Sequence, residues 1–233
     1  MITKPELHPV QIKILKALLF TPSARFSDLN LSDLTSDHFN FHLKRLLEEK
    51  IVQKLPNGQY TLTEAGKEFA NRLDTDHEVL ERQAKIAVLI GATRLISGIR
   101  QYLIQQRLKQ PYYGYHGFPT GKIRWGETVK EAAARELLEE TGLAGEITLV
   151  GVKHKMDYSP AKLILEDKYF CVFRVDNPTG NLLTEFTGGK NLWLSVPEIL
   201  KLDHQFDGVK ETIDFINQPE LTFSETKYIV SGY

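Results

Sequence analysis

Apolar residues recur at helical spacing through the first third of the chain. In "HPVQIKILKALLF", Val10, Ile14, Ala17 and Leu18 fall at i, i+4, i+7 and i+8, one face of a helix. Pro9 suits the first turn of that helix. "RFSDL" predicts a short second helix, and "SDHFNFHLKRLLEEK" a third with Phe39, Leu43, Leu46 and Leu47 facing inward. "IVQKLPNGQYTLT" then alternates, and Asn57-Gly58 between its two strand-like runs signals a two-residue hairpin. "TEAGKEFANRL" returns to helical spacing. The polar stretch "DTDHEVLERQ" reads as a junction, and the pattern changes beyond it. "AKIAVLIGA", "GIRQYLIQQ", "TLVGVKHKM", "KYFCVFRV" and "NLWLS" are strand-like, with helices expected near 129–141 and 208–217. Strands mixed with helices predict an α/β (α+β) layer fold. The expected division is residues 1–80, a second domain over 81–219 and a tail over 220–233.

Composition changes this picture little. Of 233 residues, 42% are apolar and 25% charged, so there is ample surface for a core and little reason to expect disorder. The net charge of -1 excludes a globally basic nucleic-acid binder. A single cysteine, Cys171 in "YFCVF", rules out an internal disulfide and is expected to pack in a strand core. "MITKPELHPV" lacks the apolar stretch of a signal peptide, and no run reaches the length of a membrane span. The expectation is a soluble, cytoplasmic protein with no membrane partner.

The order helix, helix, helix, hairpin, helix is that of a winged helix-turn-helix. "YTLTEAGKEFANRL" resembles the wing-to-last-helix stretch of small bacterial winged-helix regulators. That resemblance covers about the first third of the chain and implies binding to DNA or to a protein partner. Residues 1–80 carry 10 Lys and Arg against 11 Asp and Glu, an unusually acidic balance for a phosphate footprint. On the third helix Asn40, Lys44 and Arg45 are placed to contact DNA, while Asp37 and Glu48 oppose it and Phe41 suits a protein contact. DNA binding, partner docking and a homodimer all stay open.

"RELLEETG" is the stretch most charged with chemistry. Glu136, Glu139 and Glu140 stand at i, i+3 and i+4, on one side of a helix with neighbouring Cβ atoms ~5–6 Å apart. Thr128 and Glu131 fit a capping box, and Gly142 a C-terminal cap. Crowded carboxylates cost more as they leave water, and a hard divalent cation removes that conflict. A solvated acidic face is the plain alternative.

The surrounding residues decide between them. "GKIRWGETVKEAAARELLEETGL", Gly121 to Leu143, matches the Nudix box at Gly121, Glu127, Arg135, Glu136, Leu137, Glu139, Glu140, Gly142 and Leu143. A chance match at a given start is on the order of one in 10⁸ or rarer. The chain from about Ala84 to Gln218 therefore resembles a Nudix domain, in which a mixed sheet is sandwiched between helices (αβα). The resemblance implies hydrolysis of a nucleoside diphosphate derivative such as ADP-ribose, a dinucleotide or a nucleoside triphosphate, assisted by Mg²⁺ or Mn²⁺. It implies that Glu136, Glu139 and Glu140 bind metal, with the Gly121 carbonyl completing the site, and that Glu127 and Arg135 form a structural pair.

The general base is open between Glu136 and Glu185, the one acid of "PTGNLLTEFTGGKNLWLS". Tyr112, Tyr113, Tyr115 and His116 precede the box, and Tyr113 or Tyr115 is expected to stack on a base. Lys153 and Lys155 share a strand face and are expected to reach phosphates. A nucleotide-sensing regulator is the alternative function, although Nudix regulators of that kind carry their winged helix after the Nudix domain.

Overall fold

The computed structural model describes residues 7–30 and 34–230. Two compact units divide the chain, Met1–Arg82 and Gln83–Tyr233.

The first unit holds α1 (Pro9–Phe20), α2 (Phe26–Leu29), α3 (Ser36–Glu48), the hairpin β1 (Val52–Lys54) and β2 (Tyr60–Leu62), and α4 (Glu64–Ala70). The start of α1 is capped on both sides: His8 Nδ1 accepts from the Val10 N–H, and the Gln11 side chain accepts from the His8 N–H. The two long helices bury Ile14, Leu15 and Leu18 from α1 against Phe39, Leu43 and Leu46 from α3. Each such side chain contributes about 1.5–3 kcal/mol by leaving water. Leu47, expected inward, is only half-buried, and His42 is buried on α3 in addition. The polar stretch read as a junction holds a small antiparallel pair, β3 (Leu73–Asp74) with β4 (Val79–Leu80), and the boundary between the units falls at its end, between Arg82 and Gln83. Its Asp74 accepts from the Asp76 and His77 N–H groups and so closes the turn locally.

The second unit contains β5 (Lys85–Ile96), β6 (Ile99–Arg107), β7 (His116–Gly117), β8 (Thr120–Lys122), α5 (Val129–Thr141), β9 (Leu143–Ala144), β10 (Thr148–Tyr158), β11 (Ile164–Asp176), β12 (Thr179–Gly180), β13 (Glu185–Phe186), β14 (Gly189–Ser195), α6 (Val196–Ile199), α7 (Val209–Asn217) and β15 (Thr222–Ile229). The large sheet runs β13-β14-β6-β5-β11-β10-β15, with β7 on β6 and β8 on β5. It is mixed: β5 and β15 lie parallel to β11 and β10, and the other pairs are antiparallel.

Helices cover both faces. On one, Ala132, Ala133 and Leu137 of α5 pack on Val88, Ile90, Leu103, Phe173 and Val175. On the other, Ile199, Ile213 and Ile216 from α6 and α7 pack on Ala87, Leu89, Tyr102, Ile104 and Val172. The long strands expected from the alternating pattern are all present. Cys171 is half-buried in β11 on the α5 face, where burial pushes its thiol up. The expected tail is a correction. Most of it is β15, which pairs in parallel with β10 from Gly151↔Thr222 to Tyr158↔Ile229. No helix among the described residues is long and apolar enough to cross a membrane.

Candidate active site

Helix α5 is set by its ends. Thr128 Oγ1 accepts from the Glu131 N–H at 3.3 Å, and the Glu131 carboxylate accepts from the Thr128 N–H at 2.8 Å. Gly142 closes the helix in the left-handed region, φ +70°, its N–H donating to the Leu138 carbonyl. With Ala132, Ala133 and Leu137 turned into the core, the helical period places Glu136, Glu139 and Glu140 along one flank.

Arg135 braces that flank. Its Nε and Nη2 donate to the two Glu127 oxygens at 2.7 and 2.9 Å, a bidentate pair. The same guanidinium donates to Glu136 at 2.7 Å, to Glu139 at 3.2 Å and to the Lys122 carbonyl at 3.1 Å. Hydrogen bonds from Arg135 and from the Arg124 N–H hold the Glu127 carboxyl down at about 2. The Arg135 guanidinium is in turn pushed up, first by Glu127.

The three glutamates are not equivalent. Glu136 lies against Gly121 so closely that a Cβ there would sit 1.9 Å from its carboxyl carbon, which explains the glycine. Glu139 is half exposed and bonded to Arg124. Glu140 is half-buried. Burial raises its carboxyl most, and Glu136 raises it further, against a 3.1 Å hydrogen bond from Gln105 and the nearby charges of Lys109 and Arg107. The backbone under Glu140 is tied as well: Asn191 Nδ2 donates to its carbonyl at 2.8 Å and to that of Leu183 at 2.7 Å.

This donor set fits a hard divalent cation. Two carboxylates, one of them held partly out of water beside the other, gain most from a cation between them. Among the described residues no three acidic, histidine or cysteine side chains converge on one point. That arrangement suits a cation that takes one or two carboxylates and fills the rest of its shell with water and phosphate.

Other predicted residues fall elsewhere. Glu185 is exposed in β13 and pairs with Lys190 at 2.8 Å. Tyr115 is half-buried and packs on Tyr112, His204 and Phe206 at 5.3–5.6 Å. Tyr113 is 60% exposed. Lys153 is a correction: it is 2% exposed, and its ammonium donates to Gly208 O, Thr212 Oγ1 and Glu211. A lysine buried this deeply keeps its charge only because those acceptors surround it. Lys155 shares the face as expected but is spent on Asp157 and lies over the Tyr228 ring. Gln105, Arg107, Lys109 and Asn191 were not singled out in the sequence. They reach Glu140 across 31 to 51 residues of chain, and no local spacing marks them.

Residues 87–214 match the family model of the NUDIX domain. An ADP-ribose pyrophosphatase of Methanocaldococcus jannaschii is 28% identical over 102 residues, which cover 43% of this chain and 60% of that protein. The chain thus aligns with less than two thirds of that curated relative. Two crystal structures share the fold. The NUDIX domain of Shewanella oneidensis NrtR, in complex with ADP ribose, aligns with a TM-score of 0.51 at 16% identity, over 66% of this chain and 96% of that one. A mutator MutT protein of Bacillus halodurans aligns at 0.50 and 21% identity, over 62% and 90%.

Proposed function

This chain belongs to the Nudix family, and from that membership we propose that it hydrolyses the pyrophosphate bond of a nucleoside diphosphate derivative of the ADP-ribose class. One observation carries the reading. Glu136 stands against Gly121 with Glu140 one turn further along the helix and within reach of its charge, while Arg135 pins the helix to Glu127. The kinship with an ADP-ribose pyrophosphatase supports the substrate class.

In this reading Glu140 and Glu136 hold Mg²⁺ or Mn²⁺, with Glu139 at the rim and the Gly121 carbonyl nearby. Such a cation would supply charge neutralisation at the phosphates and a more acidic water. Arg107 and Lys109, whose charges already reach Glu140, orient the diphosphate beside the carboxylates. Water attacks one phosphorus of the diphosphate, a carboxylate takes its proton, and the bridging P–O bond breaks so that the other half leaves as a phosphate monoester. Glu136 is favoured over Glu185 for that role, because it stands beside Glu140 on the acidic flank of α5, whereas Glu185 is exposed in β13. Tyr113, the exposed ring of the pre-box loop, is the ring proposed to stack on the base. Product release from a panel of ADP-ribose, dinucleotides and nucleoside triphosphates, with and without Mg²⁺, tests the proposal.

The first unit favours a second reading, a nucleotide-sensing regulator. Its element order is that of a winged helix, and on α3 Lys44 and Arg45 are exposed beside Asn40, each cation loosely paired one turn on, with Glu48 at 3.8 Å and Glu49 at 4.0 Å. Phosphates would compete well for such pairs. A gel shift on the region upstream of its own gene, with and without ADP-ribose, tests this. No binding at low salt in either case removes it.

A further inference from the structure

The first unit contains a cavity of about 380 Å³ at the amino end of α1, lined by Leu7, His8, Pro9, Gln11, Phe41, His42 and Arg45. Its polar groups are of one kind. His8 Nδ1 accepts from the Val10 N–H, so the ring proton of the neutral imidazole is on Nε2, a donor. The Gln11 side-chain oxygen accepts from the His8 N–H, which leaves its amide N–H groups as donors. Arg45 has donors only, and its ion pair among the described residues, with Glu49, is long at 4.0 Å. No acidic side chain lines the cavity among the described residues.

His42 is the group without an explanation in the fold alone. It is 4% exposed, stacked on His8 at 4.1 Å and near His38 at 5.1 Å. Its Nε2 is buried and has no hydrogen-bond partner among the described residues. A buried ring nitrogen left so is costly, and native folds rarely retain one without a use. The amino end of α1 adds a favourable field for negative charge, with no acid in its first turn.

We propose that this cavity is a binding site for a phosphate group, held by the imidazoles of His8 and His42 and the Arg45 guanidinium. The lining sets the class: donors and positive charge from His8, Gln11, His42 and Arg45, together with apolar Leu7, Pro9 and Phe41. Burial, then His8, His38 and Arg45, lower the His42 pKa. A bound phosphate acts in the opposite direction and raises it. Binding therefore strengthens as pH falls through the His42 titration. The phosphate comes either from a free phosphorylated molecule or from a nucleic-acid backbone.

The test uses the full chain labelled with ¹⁵N-histidine, titrated with inorganic phosphate and, separately, with a short DNA duplex. The expected result is a saturable shift of the His42 and His8 ring signals and a raised His42 pKa. Arg45→Gln weakens the effect by about tenfold or more, as for a lost charge-assisted hydrogen bond. His42→Gln removes it. Should His42→Gln fail to fold, the exposed Arg45→Gln variant gives the same reading. Saturation by phosphate alone assigns a free ligand. A shift with the duplex that phosphate displaces assigns the backbone. No saturable shift with either probe, or unchanged binding in Arg45→Gln, overturns the site.

Discussion

Arg135 and Glu127 form a two-point hydrogen-bonded pair at 2.7 and 2.9 Å, and the same guanidinium reaches Glu136 at 2.7 Å. One arginine therefore fastens the loop before α5 to the helix and orients a carboxylate of the candidate metal face. The Glu127 carboxyl is depressed to about 2 from an ordinary 4.5. A carboxyl depressed on folding adds stability that is fully present above its unfolded pKa and is lost as pH falls through the folded one. Melting temperature should thus fall between about pH 4.5 and pH 2, and Glu127→Gln should flatten that part of the curve. An unchanged acid limb in the variant would remove the brace.

Glu140 behaves in the opposite sense. Its folded pKa is raised, mainly by burial, so its ionised form opposes folding and the penalty grows as pH rises through that pKa. Glu140→Gln should raise the melting temperature of metal-free protein at neutral pH. Mg²⁺ should stabilise the parent chain and leave the variant unmoved. Calorimetry with and without Mg²⁺ reads both, and equal stabilisation of the two proteins contradicts the metal assignment.

Gly121→Ala places a methyl on the Glu136 carboxyl group, 1.9 Å from its carbon. The obstacle is the end of a side chain, so the fold adapts by displacing Glu136. Turnover should drop by about tenfold or more while the melting temperature changes little. A variant with full activity would show that Glu136 need not stand where it does.

Lys153→Met separates a structural lysine from a phosphate-binding one. Loss of its ammonium removes three hydrogen bonds from the covered site, those to Gly208 O, Thr212 Oγ1 and Glu211. Stability should fall by about 1–3 kcal/mol, with KM for substrate near that of the parent. A raised KM at unchanged stability would restore the substrate role expected from its strand face.

These residues also show what local sequence could convey. The helix holding Glu136, Glu139 and Glu140 was legible because its cap, its spacing and its Gly142 stop all lie within 15 residues. Period two along β10 correctly put Lys153 and Lys155 on one face. It carried no sign that α7 covers Lys153, because the covering residues lie 55 and more positions away. Gln105 and Asn191 escaped for the same reason. The strand β15 read as a tail because it pairs in parallel with residues 71 positions earlier, starting with Gly151 for Thr222. Parallel pairing leaves no hairpin turn to read.

The most direct test of the account is release of AMP and ribose 5-phosphate from ADP-ribose, in Mg²⁺, by the parent chain and by Glu140→Gln. The account predicts metal-dependent release by the parent and a loss of at least about 100-fold in the folded variant. Equal release by the two proteins, or none by a folded, metal-supplied parent on ADP-ribose and the wider nucleotide panel, would contradict it.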